Sequence, residues 1–181
     1  MGSRGELGCA QPQLLVRQGA EQAEGGETEV SDAWDVLFTG SFARQLDDKG
    51  RLALPSHFRK LLGGRCYLSK GLDQCVSVVP PAVFAVEAAE MTARVRNREV
   101  PRDQLRAVAS SAFPVDLDKQ GRVTLDETLR EYAGLNVGQP VVVIGAFDRL
   151  EIWSPERYAA ENQAGTAGLA GAGLVNGAAI E

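Results

Sequence analysis

The chain has 181 residues, 44% of them hydrophobic, and a formal net charge of −5, which suits one or two small globular domains. No apolar run approaches the ~18 residues that a transmembrane helix needs. The first residues also lack the apolar segment of a signal peptide, so we expect a cytosolic protein without a membrane partner. The acidity lies mainly in the flanks, because residues 38–158 hold 17 basic and 15 acidic residues. The net charge therefore does not exclude a nucleic-acid-binding core.

The chain divides into two similar units between two segments of biased composition. The N-terminal segment is rich in Gly, Glu, Gln and Ala and has no sustained apolar period, which predicts a disordered acidic extension. Each unit is predicted to run strand, turn, strand, short helix, two strands and a further helix. The predicted organisation is a disordered extension at 1–37, a first domain at 38–84, a helical connector at 85–110, a second domain at 111–158, and the end of the last helix followed by a flexible Gly/Ala tail at 159–181.

Proline and glycine mark the ends of several predicted helices. Pro55 opens the short helix of the first unit and Gly63 follows it, and Asp126 can cap the matching helix of the second unit. Pro101 breaks the arginine-rich connector into two helices. The last helix is predicted to end at residue 162, before the glycines of the tail.

One short motif occurs in both units. Asp47-Asp48-Lys49-Gly50-Arg51 and Asp118-Lys119-Gln120-Gly121-Arg122 both read Asp-x-x-Gly-Arg after a leucine, and matching positions are 71 apart. The second part of each unit matches at an offset of 74, and the three extra residues fall in a loop. A consistent offset with one loop-sized step indicates duplication of a whole structural unit.

The aspartate and the glycine of the motif predict a turn. Asp47 and Asp118 can accept hydrogen bonds from backbone N–H groups of the turn. Gly50 and Gly121 can adopt a positive φ because they have no Cβ. These four turn-forming residues are predicted to close a β-hairpin in each unit.

Arg51 and Arg122 are not required by the turn, and two interpretations remain open. Each arginine could pair with its own aspartate and fix the loop. Alternatively, the arginines and the nearby lysines project from the hairpin tips, where a basic patch would suit the DNA backbone or the major groove. The candidate DNA-binding residues are Arg44, Lys49, Arg51, Lys119 and Arg122.

Little in the sequence supports catalysis, a metal or a cofactor. His57 is the only histidine and opens a helix without an evident catalytic partner. There is no phosphate-binding glycine loop, HExxH or CxxC motif. Cys66 and Cys75 lie in apolar strand-like runs and are expected to be buried thiols. Trp153 is expected to be a core or interface anchor.

These features resemble the MraZ family of bacterial transcriptional regulators. The similarity covers about residues 37–160 and rests on the run from Leu37 to Arg59, the two turn motifs and the run from Val141 to Tyr158. The resemblance implies an α+β fold, namely a duplicated swapped-hairpin, AbrB-like (SpoVT-AbrB) β-barrel with packing helices. It also implies a ring-shaped homo-oligomer that is associated with the nucleoid.

The resemblance further implies sequence-specific binding to short repeats of double-stranded DNA upstream of the division and cell-wall gene cluster, including the protein's own promoter. The family's D-x-x-x-R positions correspond to Asp47 and Arg51, and to Asp118 and Arg122. Lys49 matches the family's basic turn position, whereas Gln120 occupies that position in the second unit. This difference makes the first unit the better candidate for reading DNA.

Two other functions remain open. One is an antitoxin-like module of the same fold class, although the Gly/Ala-rich C-terminal segment offers few large apolar anchors for a toxin. The other is an assembly protein that does not bind DNA. The family usually starts with Met directly before Phe-x-Gly, where this chain has Leu37. The preceding residues are therefore either a translated upstream stretch or a lineage-specific extension.

Overall fold

The computed structural model describes residues 37–172. This part of the chain is an α+β structure with antiparallel strand pairs and five α-helices. The strands are β1 Ser41–Gln45, β2 Arg51–Ala53, β3 Arg65–Lys70, β4 Val76–Val79, β5 Phe113–Asp116, β6 Arg122–Thr124, β7 Pro140–Gly145 and β8 Leu150–Trp153. The helices are α1 Ser56–Leu62, α2 Pro81–Arg96, α3 Arg102–Ser111, α4 Glu127–Ala133 and α5 Pro155–Ala172.

The last helix is longer than the sequence predicted. We expected it to end at residue 162, but α5 continues to Ala172. Alanines at 164, 167 and 170 favour the helix and offset the glycines between them, each of which costs about 1 kcal/mol relative to alanine. The predictions for residues 1–36 and 173–181 lie outside the described residues.

Local signals set the ends of the two short helices. Helix α1 follows Pro55 and is succeeded by Gly63 at φ +66°. Helix α4 is capped by Asp126, whose carboxylate accepts the Leu129 N–H at 2.9 Å, and is succeeded by Gly134 at φ +66°. Glycine fits these left-handed positions without steric penalty, so both helices end within seven residues.

The six-stranded sheet is built from both halves of the chain. Its strand order is β1-β7-β8-β4-β3-β5, and β2 and β6 form a separate two-stranded sheet. The counterparts in the two halves are β1 and β5, β3 and β7, and β4 and β8. When each strand is replaced by its counterpart, the same strand order is obtained, read backwards. Strand β1 pairs with β7 and β5 pairs with β3, so each half supplies an edge strand to the other. The duplication in the sequence thus appears as a pseudo-twofold arrangement.

The strands beside each turn pair little with each other. Beyond the first turn, only a Leu46–Leu52 bridge is described between its two flanking segments. Strand β1 pairs with β7 instead, and β2 pairs with β6. Each Asp-x-x-Gly-Arg turn therefore closes as predicted, with the Asp47 and Asp118 N–H groups donating to the Arg51 and Arg122 carbonyls at 3.0 Å, but the strands beyond it pair with the other half. Interleaving places residues of both halves in one hydrophobic core.

One hydrophobic core lies between the halves. Phe58 of α1 is fully buried and packs edge-on against Phe38 and Phe42, with ring centroids 5.6 and 5.3 Å away. Leu46 and Leu52 on either side of the first turn are also buried, as are the inward residues of β4 and β8, and Leu117 before the second turn is half-buried against this core. Both halves contribute residues to this core, including Leu46, Leu52, Leu54, Leu62, Val76, Val78, Val123, Leu125, Leu129, Leu150 and Ile152.

The cysteine and tryptophan predictions agree with the structure. Cys66 and Cys75 are free, buried thiols, and burial raises the pKa of each to about 12. Trp153 is 5% exposed and donates its indole N–H to Glu151 at 3.0 Å. No helix among residues 37–172 has the length and apolar character needed to cross a bilayer.

Candidate nucleic-acid interface

The first turn is organised around the Asp47 carboxylate. Its Oδ1 accepts the backbone N–H groups of Lys49 at 2.9 Å and Arg51 at 2.8 Å. Its Oδ2 accepts the Arg51 Nε–H at 2.6 Å. Gly50, at φ +70°, donates its N–H to the Asp47 carbonyl at 3.1 Å. One side chain therefore fixes both the backbone of the turn and the arginine that follows it.

The second turn repeats this geometry closely. Asp118 Oδ1 accepts the N–H groups of Gln120 and Arg122, both at 2.9 Å, and Oδ2 accepts the Arg122 Nε–H at 2.7 Å. Gly121 has φ +72° and donates to the Asp118 carbonyl at 2.8 Å. The structure thus shows each arginine paired with its own aspartate, which was one of the two interpretations left open by the sequence.

These hydrogen bonds stabilise the charged form of both aspartates. For Asp47, partial burial opposes ionisation, but the Arg51 N–H and guanidinium and the Lys49 N–H outweigh it, so its pKa is lowered. For Asp118, the backbone N–H of Arg122 contributes most, and the pKa is again lowered against partial burial. The carboxylates therefore stay ionised and hold their donors at neutral pH.

The two turns adjoin each other across the halves. Arg122 Nη1 lies 4.0 Å from Asp47 Oδ2, the carboxylate of the opposite turn. Backbone hydrogen bonds also link the two halves. The Leu54 N–H donates to the Gly121 carbonyl at 3.2 Å, and the Leu125 N–H donates to the Gly50 carbonyl at 2.9 Å. Residues 47–51 and 118–122 thus form one continuous region, which we call the turn surface.

The structure reveals two residues of this region that sequence reasoning missed. Arg59 of α1 lies over Gly121 and donates Nη1–H to the Gln120 carbonyl at 3.1 Å. Arg130 of α4 packs against Gly50 of the first turn, with its Nε–H donated to the Leu125 carbonyl at 3.3 Å. Arg59 and Arg130 are 71 positions apart, the spacing of the two turns. That shared offset was the available signal, but a single helix arginine does not reveal which turn it meets.

Exposure separates the basic residues of the turn surface into two groups. Lys49 and Lys119 are exposed, whereas the side chains of Arg51 and Arg122 are 30% and 25% exposed. The turn surface itself holds four basic and three acidic residues, and Arg59 and Arg130 behind it bring the basic total to six. The region is therefore net positive, with the lysines as its most accessible cations.

Arg44 is held differently from the other candidates. It is half-buried in β1, where its guanidinium donates to the Ala43 carbonyl at 2.8 Å and lies 5.6 Å from the centre of the Phe42 ring. The contacts of this guanidinium are thus within its own strand. The structure brings Lys49, Arg51, Lys119 and Arg122 onto one region and does not tie Arg44 to it.

The surroundings of the turn surface do not resemble a catalytic centre. His57 is exposed, and its ring packs against Phe42 and Phe58 with centroids 5.4 and 4.0 Å away. Within residues 37–172, no group of three His, Cys, Asp or Glu side chains is arranged to hold a metal ion. The arrangement can present fixed guanidinium groups and mobile ammonium groups to an anionic partner.

Comparison with known proteins identifies the family. The sequence profile described as "MraZ protein, putative antitoxin-like" matches residues 37–104 and 108–165. The chain belongs to the MraZ family.

Curated relatives of this MraZ-family chain are named transcriptional regulators. One from Thermomicrobium roseum is 37% identical over 125 residues, covering 69% of this chain and 87% of the relative. One from Corynebacterium glutamicum is 42% identical over 124 residues, covering 68% and 85%. One from Desulforamulus reducens is 40% identical over 131 residues, covering 71% and 91%. All three carry the name "Transcriptional regulator MraZ".

A solved structure shows a weaker likeness. The solution structure of PHS018 from Pyrococcus horikoshii is 15% identical, with a TM-score of 0.29, covering 65% of this chain and 96% of that chain. This likeness is too weak to inform the fold, and the chain belongs to the MraZ family by its profile match and its sequence relatives.

Proposed function

We propose that this protein is a non-enzymatic transcriptional regulator that binds double-stranded DNA through the turn surface. The observation that carries the proposal is the adjoining of the two Asp-x-x-Gly-Arg turns, with Arg122 Nη1 4.0 Å from Asp47. Two basic turns on one region give a small protein enough adjacent cations to follow a phosphate backbone. The names of the relatives support a role in transcription.

The residues of the turn surface would have different roles in this complex. Lys49 and Lys119 are exposed point charges suited to phosphates. Arg51 keeps its Nε on Asp47, so its outer nitrogens are partly preordered for bases and lose less conformational freedom on binding. This division follows the general rule that phosphate contacts position a protein while base contacts specify the sequence.

The two turns would not contribute equally. Gln120 is neutral where the first turn has Lys49, and Arg122 is drawn toward both aspartates. Arg51 in the first turn pairs with Asp47 alone among the described contacts. We therefore assign base reading mainly to the first turn and a supporting role to the second.

The finer features of the family complete the proposal. The crossing of β1 and β5 between halves supports a swapped-hairpin, AbrB-like barrel. The DNA targets would be short repeats upstream of the division and cell-wall gene cluster, including the protein's own promoter, and the protein would act on the nucleoid. A ring-shaped homo-oligomer would present several turn surfaces to these repeats and raise their effective concentration.

Substitution of the two turn arginines tests the proposal. A duplex selected from a random library by the wild-type protein would be titrated by fluorescence anisotropy at several salt concentrations. Arg51→Ala is expected to abolish specific binding, and Arg122→Ala to weaken it less. Arg106→Ala, exposed on α3, is the matched control and should bind normally. Circular dichroism and gel filtration would establish folding and assembly of each variant. Specific binding retained by a folded Arg51→Ala protein at moderate salt would refute the assignment.

The family description favours one further candidate, because it includes the term antitoxin-like. In that case a segment of the chain would cover a small toxin. Co-expression with the product of any small neighbouring gene, followed by purification, would reveal a stable complex. A complex whose formation occludes the turn surface would favour this candidate over the regulator.

A further inference from the structure

Each turn is covered by an arginine from the opposite half of the molecule. Arg59 of α1 crosses to the second turn, where its Nη1–H donates to the Gln120 carbonyl at 3.1 Å. The packing is tight, because a Cβ added to Gly121 would lie 1.9 Å from Arg59 Cδ. Two features therefore favour glycine at position 121: its positive φ, which a residue with a Cβ rarely adopts, and the Arg59 side chain, which occupies the space of a Cβ.

The matching contact on the first turn is looser. Arg130 of α4 lies behind Gly50, where an added Cβ would be 3.2 Å from Arg130 Nε. That Nε–H donates to the Leu125 carbonyl at 3.3 Å, within the second half, and not to the first turn. Arg130 thus packs against the first turn, and its described hydrogen bond goes to Leu125 and not to the backbone of that turn.

The Arg59 side chain stays in this position despite an electrostatic cost. Its Nε is buried without a hydrogen-bond partner among the described residues, and burying an unpaired polar group is unfavourable. The bond to Gln120 and the packing over Gly121 are the gains that offset it. These two contacts hold the Arg59 side chain across the boundary between the halves.

We infer that Arg59, and to a lesser extent Arg130, are positioning residues that fix the turn of the opposite half for DNA binding. This inference rests on the proposed function. Neither residue needs to touch DNA, since Arg59 acts on the backbone of the second turn and Arg130 acts by packing against the first. Each turn is then presented correctly only when the other half is folded around it, which makes the pair of turns a single binding unit.

A salt titration separates positioning from direct contact. A residue that contacts a phosphate lowers the salt slope of log K by about 0.9 when it is removed. Arg59→Ala is expected to weaken specific binding about tenfold, equal to about 1.4 kcal/mol, while leaving non-specific binding and the salt slope unchanged. Arg59→Lys keeps the charge but loses the planar fork, and it should behave like Arg59→Ala if geometry matters.

Arg65→Ala is the matched control. Arg65 also crosses between the halves, where it pairs with Asp116 at 2.6 Å, but this pair lies at the β3–β5 edge and not at a turn. The control should bind DNA like the wild type. A salt slope reduced by about one in Arg59→Ala, or specific binding equal to that of the wild type, would overturn the inference.

A double-mutant cycle in urea tests the same contact without DNA. Gly121→Ala is expected to destabilise the protein more than Gly50→Ala. The new Cβ at position 121 would overlap Arg59 Cδ, whereas the one at position 50 would stay 3.2 Å from Arg130 Nε. Adding Arg59→Ala should recover part of that loss, since it removes the overlap and leaves only the strain of the positive φ. Additive effects of Gly121→Ala and Arg59→Ala would overturn the inference.

The two experiments distinguish this inference from the proposed function. If the wild-type protein selects no duplex from the library, the proposed function fails, while the urea cycle still reports on the crossing. If the wild type binds specifically and Arg59→Ala binds equally well, the positioning role fails and the proposed function stands.

Discussion

Asp47 and Asp118 each organise a turn and an arginine with one carboxylate. The turn conformation follows from the sequence because it depends on residues three apart, an acceptor and a glycine that tolerates a positive φ. The arginine's partner was ambiguous, since the same five residues allow an inward or an outward guanidinium. Only the fold, which partly buries both side chains, places Arg51 on Asp47.

The lowered pKa values of Asp47 and Asp118 predict a pH dependence of stability. Both carboxyls have a lower pKa in the folded protein than the usual value of about 4. Their contribution is therefore complete above that value and is lost as pH falls through the lower, folded pKa. In urea unfolding measured over a series of acidic pH values, the Asp47→Asn/Asp118→Asn variant should show a shallower loss of stability than the wild type.

Part of the acid sensitivity should remain in that variant, because Asp116 and Asp148 also have lowered pKa values through their hydrogen bonds with Arg65 and Arg149. An equally steep decline in the variant and the wild type would show that the turn carboxylates do not contribute.

At the scale of elements, the order of strands and helices was predictable but their pairing was not. Proline and glycine mark the ends of α1 locally, and an aspartate caps α4. By contrast, β1 pairs with β7, nearly 100 residues later, and no local pattern encodes such a partner. The crossings of Arg59 and Arg130 were missed for the same reason, since they depend on how the halves interleave. The extension of α5 to Ala172 was missed because its glycines resemble a flexible tail.

The cap of α4 provides a prediction at this scale. Asp126 accepts the Leu129 N–H at 2.9 Å, whereas α1 has no side-chain cap at Pro55. Asp126→Ala should lower the free energy of unfolding by about 1 kcal/mol. Thr128→Ala, an exposed change on the same helix, is the control and should cost little. Chemical denaturation monitored by circular dichroism measures both, and equal stabilities for the two variants would contradict the capping role.

At the scale of the whole molecule, duplication produces a nearly symmetric scaffold with asymmetric chemistry. The sheet order reverses into itself when the halves are exchanged, and both turns share the same hydrogen bonds. At the turns, the halves differ mainly in side chains. Lys49 of the first turn corresponds to Gln120 of the second, and Arg59 hydrogen-bonds to the second turn whereas Arg130 only packs against the first. The second turn is thus the more firmly held, and the first carries its lysine directly before the glycine.

DNA binding by the turn surface can be measured by hydrogen–deuterium exchange read by mass spectrometry, with the full chain alone and with a duplex selected from a random library. We expect DNA to protect peptides covering residues 47–51 and 118–122, with stronger protection in the first. Protection confined to α2 and α3, with both turns exchanging as in the free protein, would contradict it.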